Sequence, residues 1–350
     1  MKKILAIALC LIMVLAVVAC EKAPAEAEYK LGMGIVVKTD SSKENNAQVD
    51  ATIAAVVLDA EGKIVSCRID VAQNKMNVTG GAVEADKTFK TKMELGDDYN
   101  MAKYGTPNVE GGTVQEWYVQ TKAFEAYVVG KTAAEVQAIE TKEVNAHQIA
   151  VDEALLSAGC TIQIADFKAA VVKACNDDQK TSFKSAGNFT LGVAANSEAG
   201  ESVAATTENN GTLKMYSDFA ASVVEGGKIV ASLNDAIQPN ITFNFAGEVV
   251  STSFKATKRE LKGEYGMAAA INYYMDWNND GVVKEWFEQS AAFSAYVVGK
   301  TAAQVEAMAT KEVPGKGYII SSDDALLTAG CTIQITGIKA VVAESVTNAR

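Results

Sequence analysis

The feature that most constrains this fold is a long internal repeat. Residues 152–164 (DEALLSAGCTIQI) recur as residues 323–335 (DDALLTAGCTIQI), and residues 117–132 recur in similar form as residues 286–301. The copies lie about 170 residues apart, far beyond the roughly 20–50 residues of a solenoid unit. The repeat therefore predicts two tandem homologous domains, each of ordinary domain size.

The start of the chain has the features of a secretion signal that ends in a lipidated cysteine. Two lysines precede the apolar residues 4–18, a run too short to span a bilayer comfortably. Residues 17–20 (VVAC) resemble the bacterial lipobox, in which the cysteine, here Cys20, is acylated, for instance with palmitate. Such an anchor would hold the protein on the extracytoplasmic face of the cell membrane. An ordinary signal peptide and an N-terminal anchor helix are the alternatives.

The composition excludes several classes of function. A formal net charge of -11 argues against nucleic acid and anionic lipid as partners. His147 is the sole histidine, which excludes zinc sites built on histidines, Ser-His-Asp triads and paired haem ligands. The cysteines beyond Cys20 are widely spaced, which favours buried thiols over a disulfide framework. They are Cys67, Cys160, Cys175 and Cys331.

Hydrophobic periodicity predicts the same order of elements in each half. Residues 47–58 alternate, with Val49 and Ile53 on one strand face, and residues 59–63 form a hairpin turn. Thr132 and its counterpart in the second copy begin capping boxes. The other predicted elements are strands at 31–38, 64–71, 215–224 and from 229 onward, a helix carrying Trp117 and Phe124, and closing helices at 167–175 and 338–345.

The predicted fold class is α+β, with two tandem homologous domains that each combine an antiparallel sheet with packed helices. The predicted boundaries are residues 1–19 for the signal peptide, 20–28 for a tether, 29–175 for the first repeat, 176–188 for a linker and 189–347 for the second repeat. Each repeat holds a full set of elements, so each is expected to fold by itself.

Near its end each repeat contains Ala-Gly-Cys-Thr, at residues 158–161 and 329–332, before a predicted helix. With the Gly-Lys-Ile turn at 62–64 and the Gly-Lys-Thr junction at 130–132, this layout resembles the FMN-binding domain family. Members of that family include flavin-carrying subunits of bacterial sodium-pumping quinone reductases and surface lipoproteins. In them a flavin transferase attaches FMN through a phosphoester to the threonine of a closing Ser-Gly-Ala-Thr motif.

The resemblance implies an FMN site at each closing motif, with attachment at Thr161 and Thr332. Here alanine replaces the family's serine, and cysteine replaces its alanine. A helix start after the glycine would offer unpaired N–H groups to a phosphate. The alternative is that each threonine merely begins a strand or helix after a glycine turn. The candidate FMN-binding residues are Gly159, Cys160, Thr161, Gly330, Cys331 and Thr332.

Two further patterns carry weaker hypotheses. Asp276, Asn278 and Asp280 match the opening of an EF-hand loop and predict a weak calcium site, although position twelve of the loop is Phe287. A plain Asx turn is the alternative. Four aromatic residues offer faces to a flavin ring, or belong to the core. These are Trp117, Tyr118, Trp286 and Phe287.

The sequence thus predicts an extracytoplasmic lipoprotein that carries FMN in one or both domains for electron transfer. It would be an electron carrier rather than an enzyme with its own substrate. A membrane electron donor and a flavin transferase are the expected partners, and the membrane is contacted through the lipid anchor. The competing hypothesis is a non-catalytic binding or structural lipoprotein of the cell surface whose flavin sites have decayed.

Replacing Cys20 with alanine tests the anchor. The variant should leave the membrane fraction and accumulate as uncleaved precursor, because acylation precedes cleavage at a lipobox. Membrane fractionation and the mass of the N-terminal peptide measure both effects. Normal processing with continued membrane association would show that the cysteine is not lipidated.

Overall fold

A computed structural model describes residues 25–110, 112–270, 282–315 and 318–350. The predicted signal peptide and the predicted lipidation residue Cys20 lie outside these ranges. Among the described residues there are fifteen strands and eleven α-helices. The strands are β1 (Ala27–Lys38), β2 (Asn46–Leu58), β3 (Ile64–Asn77), β4 (Thr88–Phe89), β5 (Thr141–Val144), β6 (His147–Ala150), β7 (Thr181–Ser185), β8 (Thr190–Glu198), β9 (Gly211–Lys214), β10 (Tyr216–Glu225), β11 (Lys228–Ile237), β12 (Asn240–Phe243), β13 (Val249–Ser253), β14 (Thr310–Glu312) and β15 (Ile319–Ser321).

In both halves the helices follow the long strands, and the short strands β5, β6, β14 and β15 lie between helices. The helices are α1 (Lys92–Leu95), α2 (Met101–Tyr104), α3 (Trp117–Val128), α4 (Ala133–Gln137), α5 (Glu153–Ser157), α6 (Ala165–Cys175), α7 (Lys258–Leu261), α8 (Trp286–Tyr296), α9 (Ala302–Glu306), α10 (Asp324–Thr328) and α11 (Thr336–Thr347). Within the described ranges, none of these helices combines the length and the apolar composition needed to cross a bilayer.

Two antiparallel four-stranded sheets form the centre of the molecule. Their strand orders are β3-β2-β1-β7 and β11-β10-β8-β4. Smaller sheets, β13-β12-β9, β5-β6 and β14-β15, lie beside them. The prediction of antiparallel sheets with packed helices is therefore confirmed, in a fold that mixes helices and strands.

Alternation along β2 sets the layers. Val49 and Ile53 are fully buried between the two large sheets, as predicted, whereas Ala54 and Val56 belong to the core under the helices. The predicted hairpin turn after β2 is also confirmed, because the Asp59 N–H donates to the Lys63 carbonyl at 3.0 Å. One sheet face thus meets the other sheet and the opposite face meets helices.

The core between the sheets draws on both halves of the chain. Leu31 and Ile53 from the first sheet share it with Leu191, Phe219 and Leu233 from the second. Full burial of such side chains contributes about 1.5–3 kcal/mol each. Helices α3 to α6 cover the outer face of the first sheet and α8 to α11 cover that of the second. The layers run helix, sheet, sheet, helix.

Two predicted connecting segments contribute strand residues. Residues 27 and 28 of the predicted tether belong to β1, and residues 181–185 of the predicted linker form β7, which pairs with β1. The Phe183 ring lies 5.7 Å from that of Tyr29 and 5.3 Å from that of Phe189. This aromatic contact holds a strand whose sequence is otherwise polar.

Glycines let each central sheet touch its closing helix. A Cβ on Gly34 of β1 would lie 2.5 Å from the Ala174 nitrogen of α6, and a Cβ on Gly192 of β8 would overlap the Ser345 carbonyl of α11. Strand and helix backbones are therefore in direct contact in both halves.

Replacing Gly34 with alanine should lower the free energy of unfolding by about 1–3 kcal/mol, because the added methyl group must push α6 from the sheet. Gly263→Ala is the control, since a Cβ there meets nothing within 4 Å. Urea unfolding measures both. Equal midpoints for the two variants would contradict the close contact.

Candidate functional site

Each half holds one cavity of similar construction between its sheet and its helices. The first has a volume of 770 Å³ and the second 340 Å³. Four residue types recur at corresponding positions in the two linings. They are Lys92, Tyr99, Met101 and Trp117 in the first half and Lys258, Tyr265, Met267 and Trp286 in the second.

In both cavities a lysine lies over two aromatic rings. The Lys92 ammonium is 4.9 Å from the ring centre of Tyr99 and 5.5 Å from that of Trp117. For Lys258 the distances to the Tyr265 and Trp286 rings are 5.2 and 5.3 Å. These are cation–π distances.

Helix caps set the positions of both lysines. Lys92 is the first residue of α1, whose start is fixed by a capping box between Thr91 and Glu94. Thr257 and Glu260 form the same box before Lys258. A short helix with a capping box at its start therefore presents each lysine.

The strand side of the first cavity is polar. The Gln48 amide donates to one Asp50 oxygen at 2.7 Å, and the other Asp50 oxygen is buried and accepts no hydrogen bond from the described residues. Across the cavity, Lys38 and Asp166 form an ion pair at 2.7 Å. The cavity combines an aromatic wall with a few placed polar groups, as ligand sites do.

The Gly-Cys portion of the repeated motif ends a helix. Gly159 has φ +95°, its N–H bonds to the Leu156 carbonyl at 3.0 Å, and the Cys160 N–H bonds to the Leu155 carbonyl at 3.2 Å. This is a Schellman cap, in which glycine takes the left-handed position. The cap in the second copy has Gly330 at φ +90°. Cys160 packs against Leu155 in the core.

The motif threonines bond to buried glutamines. Thr161 donates from its N–H and its hydroxyl to Gln120 Oε1, at 2.9 and 3.1 Å. Thr332 makes the same pair of bonds to Gln289, at 2.7 and 3.2 Å. Each glutamine amide donates in turn to a backbone carbonyl, that of Gln115 for Gln120.

The motif differs from the predicted phosphate cradle in two respects. Helix α6 begins at Ala165, four residues after Thr161, so the threonine does not open it. The N–H groups of Cys160 and Thr161 already have partners, which are the Leu155 carbonyl and Gln120 Oε1. The spacing of Gly-Cys-Thr serves the turn between α5 and α6.

Only one motif threonine reaches a cavity within the described residues. Thr161 is half-buried and lines the first cavity, together with Ile162 and Gln163. Thr332 is 5% exposed and does not belong to the described lining of the second cavity, which contains Ile333.

The four cysteines Cys67, Cys160, Cys175 and Cys331 are buried free thiols, as predicted. Burial raises the pKa of Cys160 and of Cys331 to about 12, and that of Cys175 to about 11. Cys67 is buried too, and burial raises its pKa well above the ordinary value. Thiolates are the reactive form, so none is expected near neutral pH.

Of the four predicted aromatic site residues, the two tryptophans line cavities and the other two residues do not belong to those linings. Trp117 and Trp286 are nearly fully buried and also line the cavities, so they belong to both core and site. Tyr118 donates its hydroxyl to Asp97 at 3.1 Å, outside the first cavity. Phe287 is likewise absent from the described lining of the second cavity.

The candidate calcium ligands Asp276, Asn278 and Asp280 lie outside the described residues. The nearby Glu285 uses its carboxylate to accept N–H bonds from Met267 and Ala268, at 2.9 and 3.2 Å. In the part of the chain that the structure describes, no group of three or more His, Cys, Asp or Glu side chains is arranged to hold a metal ion.

Sequence reasoning missed the lysines and glutamines of the site. Their signal lay inside the repeats, because the segments at 92–101 and 258–267 keep lysine, tyrosine and methionine, and those at 117 and 286 keep tryptophan and, three residues on, glutamine. Identity between copies marked these positions without distinguishing core from cavity.

Part of the chain is similar to a characterised protein. A stretch of 132 residues is 30% identical to a chlorophenol reductase of Desulfitobacterium hafniense, covering 33% of this chain and 38% of that protein. The chain thus matches well under half the length of that relative. No family model matches the chain, and no solved structure matches it.

Asp218 gives the second cavity a pH-dependent charge. Burial raises its pKa from 3.8 to about 6, so the folded protein holds this proton more tightly than the unfolded chain. Its contribution to stability is therefore greatest at low pH and is lost as pH rises through about 6.

Asp218→Asn should remove this loss. The variant should have a larger free energy of unfolding than the parent at pH 7.5, and the difference between them should be smaller at pH 4. Urea unfolding across that range measures the effect. Asp86→Asn, which changes the same charge at an exposed position, serves as control. A decline with pH that is identical in parent and Asp218→Asn would contradict the assignment.

Proposed function

We propose that this protein is a lipid-anchored electron carrier of the extracytoplasmic membrane face, built from two FMN-binding-domain-like repeats. The observation that carries the proposal is the 770 Å³ cavity, with its aromatic wall, its lysine and Thr161 on its lining. A flavin needs a flat apolar wall for its ring and polar groups for its other end. The cavity offers both.

Each group has a role in holding the flavin. The flavin ring would lie toward the aromatic helix α3, and the polar strand residues Gln48 and Asp50 would meet its heteroatoms. Thr161 would carry the phosphoester, after its hydroxyl leaves Gln120. Bound FMN supplies the redox chemistry, while the chain supplies position and electrostatics.

The expected partners follow from this role. A flavin transferase would load Thr161, and a membrane electron donor would reduce the carrier. The acylated Cys20 would keep the cavity near that donor. The acidic surface disfavours nucleic acid. The name of the partial relative, a chlorophenol reductase, is in keeping with reductive chemistry.

One observation favours the competing function, a flavin-free binding lipoprotein. The N–H groups of Cys160 and Thr161 donate within the chain, and the structural role of Gly159 and Cys160 accounts for their presence without any ligand. In this case the cavity would bind a small molecule that takes no part in electron transfer.

Peptide mass mapping tests the proposal on protein co-expressed with a flavin transferase. The peptide that contains Thr161 should gain the mass of FMN less one water, because the phosphoester forms with net loss of water. Thr161→Val should lose this modification, because valine keeps the shape without the hydroxyl. Thr332→Val is the matched control, since its hydroxyl bonds to a glutamine in the same way but lies off the cavity lining.

Three outcomes separate the alternatives. Modification that disappears in Thr161→Val supports the covalent carrier. Non-covalent flavin that survives the substitution keeps the redox role and removes the ester. A folded protein that takes no flavin under any condition supports the binding lipoprotein.

A further inference from the structure

We infer that the first cavity alone takes the flavin, and that Lys92 rather than the repeated motif supplies the positive charge that binds its anionic end. The inference rests on the proposed function and deepens it. It assigns the number of flavins and the residue that selects a charged ligand.

The first step is the charge on the first cavity. Its lining contains two lysines and two carboxylates, and Lys38 is already paired with Asp166 at 2.7 Å, which leaves one ammonium, Lys92, and one carboxylate, Asp50. Lys92 makes only ring contacts, and no carboxylate of the described residues lies within ion-pair distance of it. A partly buried ammonium without a counter-ion is stabilised by an incoming anion.

The second step removes the competing donors. A phosphate at the motif would need the N–H groups beside Thr161, and those of Cys160 and Thr161 already donate to groups within the chain. Helix α6 begins too late to direct its first N–H groups at Thr161. Lys92 is therefore the available cationic donor on this lining.

The third step is the contrast with the second cavity. Its one lysine, Lys258, shares the lining with Glu198, Glu201 and Asp218. Glu201 is paired with Lys214 at 2.9 Å, which leaves two carboxylates against one ammonium. An anionic ligand would be repelled there, because like charges at short range are costly in a partly buried site.

Space gives the same answer. The second cavity has less than half the volume of the first, and Asp218 occupies part of it, so close to Gly337 that a Cβ there would overlap its carboxylate. The position that corresponds to Gly337 in the first repeat is Asp166, whose side chain turns to Lys38 instead. In the second copy, the Asp218 side chain thus takes up part of the space that a ligand would need.

Flavin titration of the mature protein, produced without a flavin transferase, tests the inference. Fluorescence quenching should give one FMN per chain. Lys92→Gln should weaken FMN binding at least about tenfold, because a charged hydrogen bond is lost, and should weaken riboflavin less. Lys258→Gln is the matched variant and should change FMN affinity by less than about twofold.

Lys92→Arg keeps the charge and should retain most of the affinity, which separates charge from misfolding. Two FMN per chain, a larger loss in Lys258→Gln, or equal losses of FMN and riboflavin in Lys92→Gln would overturn the inference while leaving the flavin carrier intact. A folded parent protein that binds neither flavin would overturn the proposed function as well.

Discussion

Face-to-face packing of the two large sheets is the contact on which the rest of the structure depends. Each sheet buries one apolar face against the other, through residues such as Ile53 and Phe219, and leaves its second face to helices. The cavities form on that second face, where polar strand residues such as Gln48 replace apolar ones near the strand ends. Since β1 and β8 also touch helix backbones through glycines, sheet, helix and cavity wall are fixed together.

The repeated motif has a physical explanation that needs no ligand. Asp152 caps the start of α5 by accepting the Ala154 N–H at 2.8 Å, Gly159 ends the helix in the left-handed conformation, and Cys160 fills the core. Gln120 then satisfies the donors of Thr161. Each residue type has a structural task, so identity between the copies is expected even if one copy binds nothing.

Local physics made much of the fold predictable from sequence. Alternation located β2, and the Thr132 capping box and the closing helix at 167–175 are present close to the predicted positions. What could not be predicted is pairing across long separations. A polar strand such as β7 depends on one ring, Phe183, finding aromatic neighbours, and periodicity does not reveal which apolar face meets which. The cavity lysines could not be predicted for the same reason. In sequence, a lysine in a short helix looks the same whether it faces solvent or covers aromatic rings from a distant helix.

Burial of both faces of each sheet also constrains the second half, whether or not its cavity binds a ligand. Without β8, β10 and β11, the apolar face of the first sheet, including Leu31 and Val49, would be open to water. Ion pairs also connect distant segments, since the largely buried Arg259 and Asp177 lie 3.2 Å apart and the partly exposed Arg350 pairs with the buried Glu125 at 2.8 Å. Removing Arg259 or Asp177 would leave the other charge buried and uncompensated, which commonly costs several kcal/mol. The second half is therefore constrained by packing whatever its cavity holds.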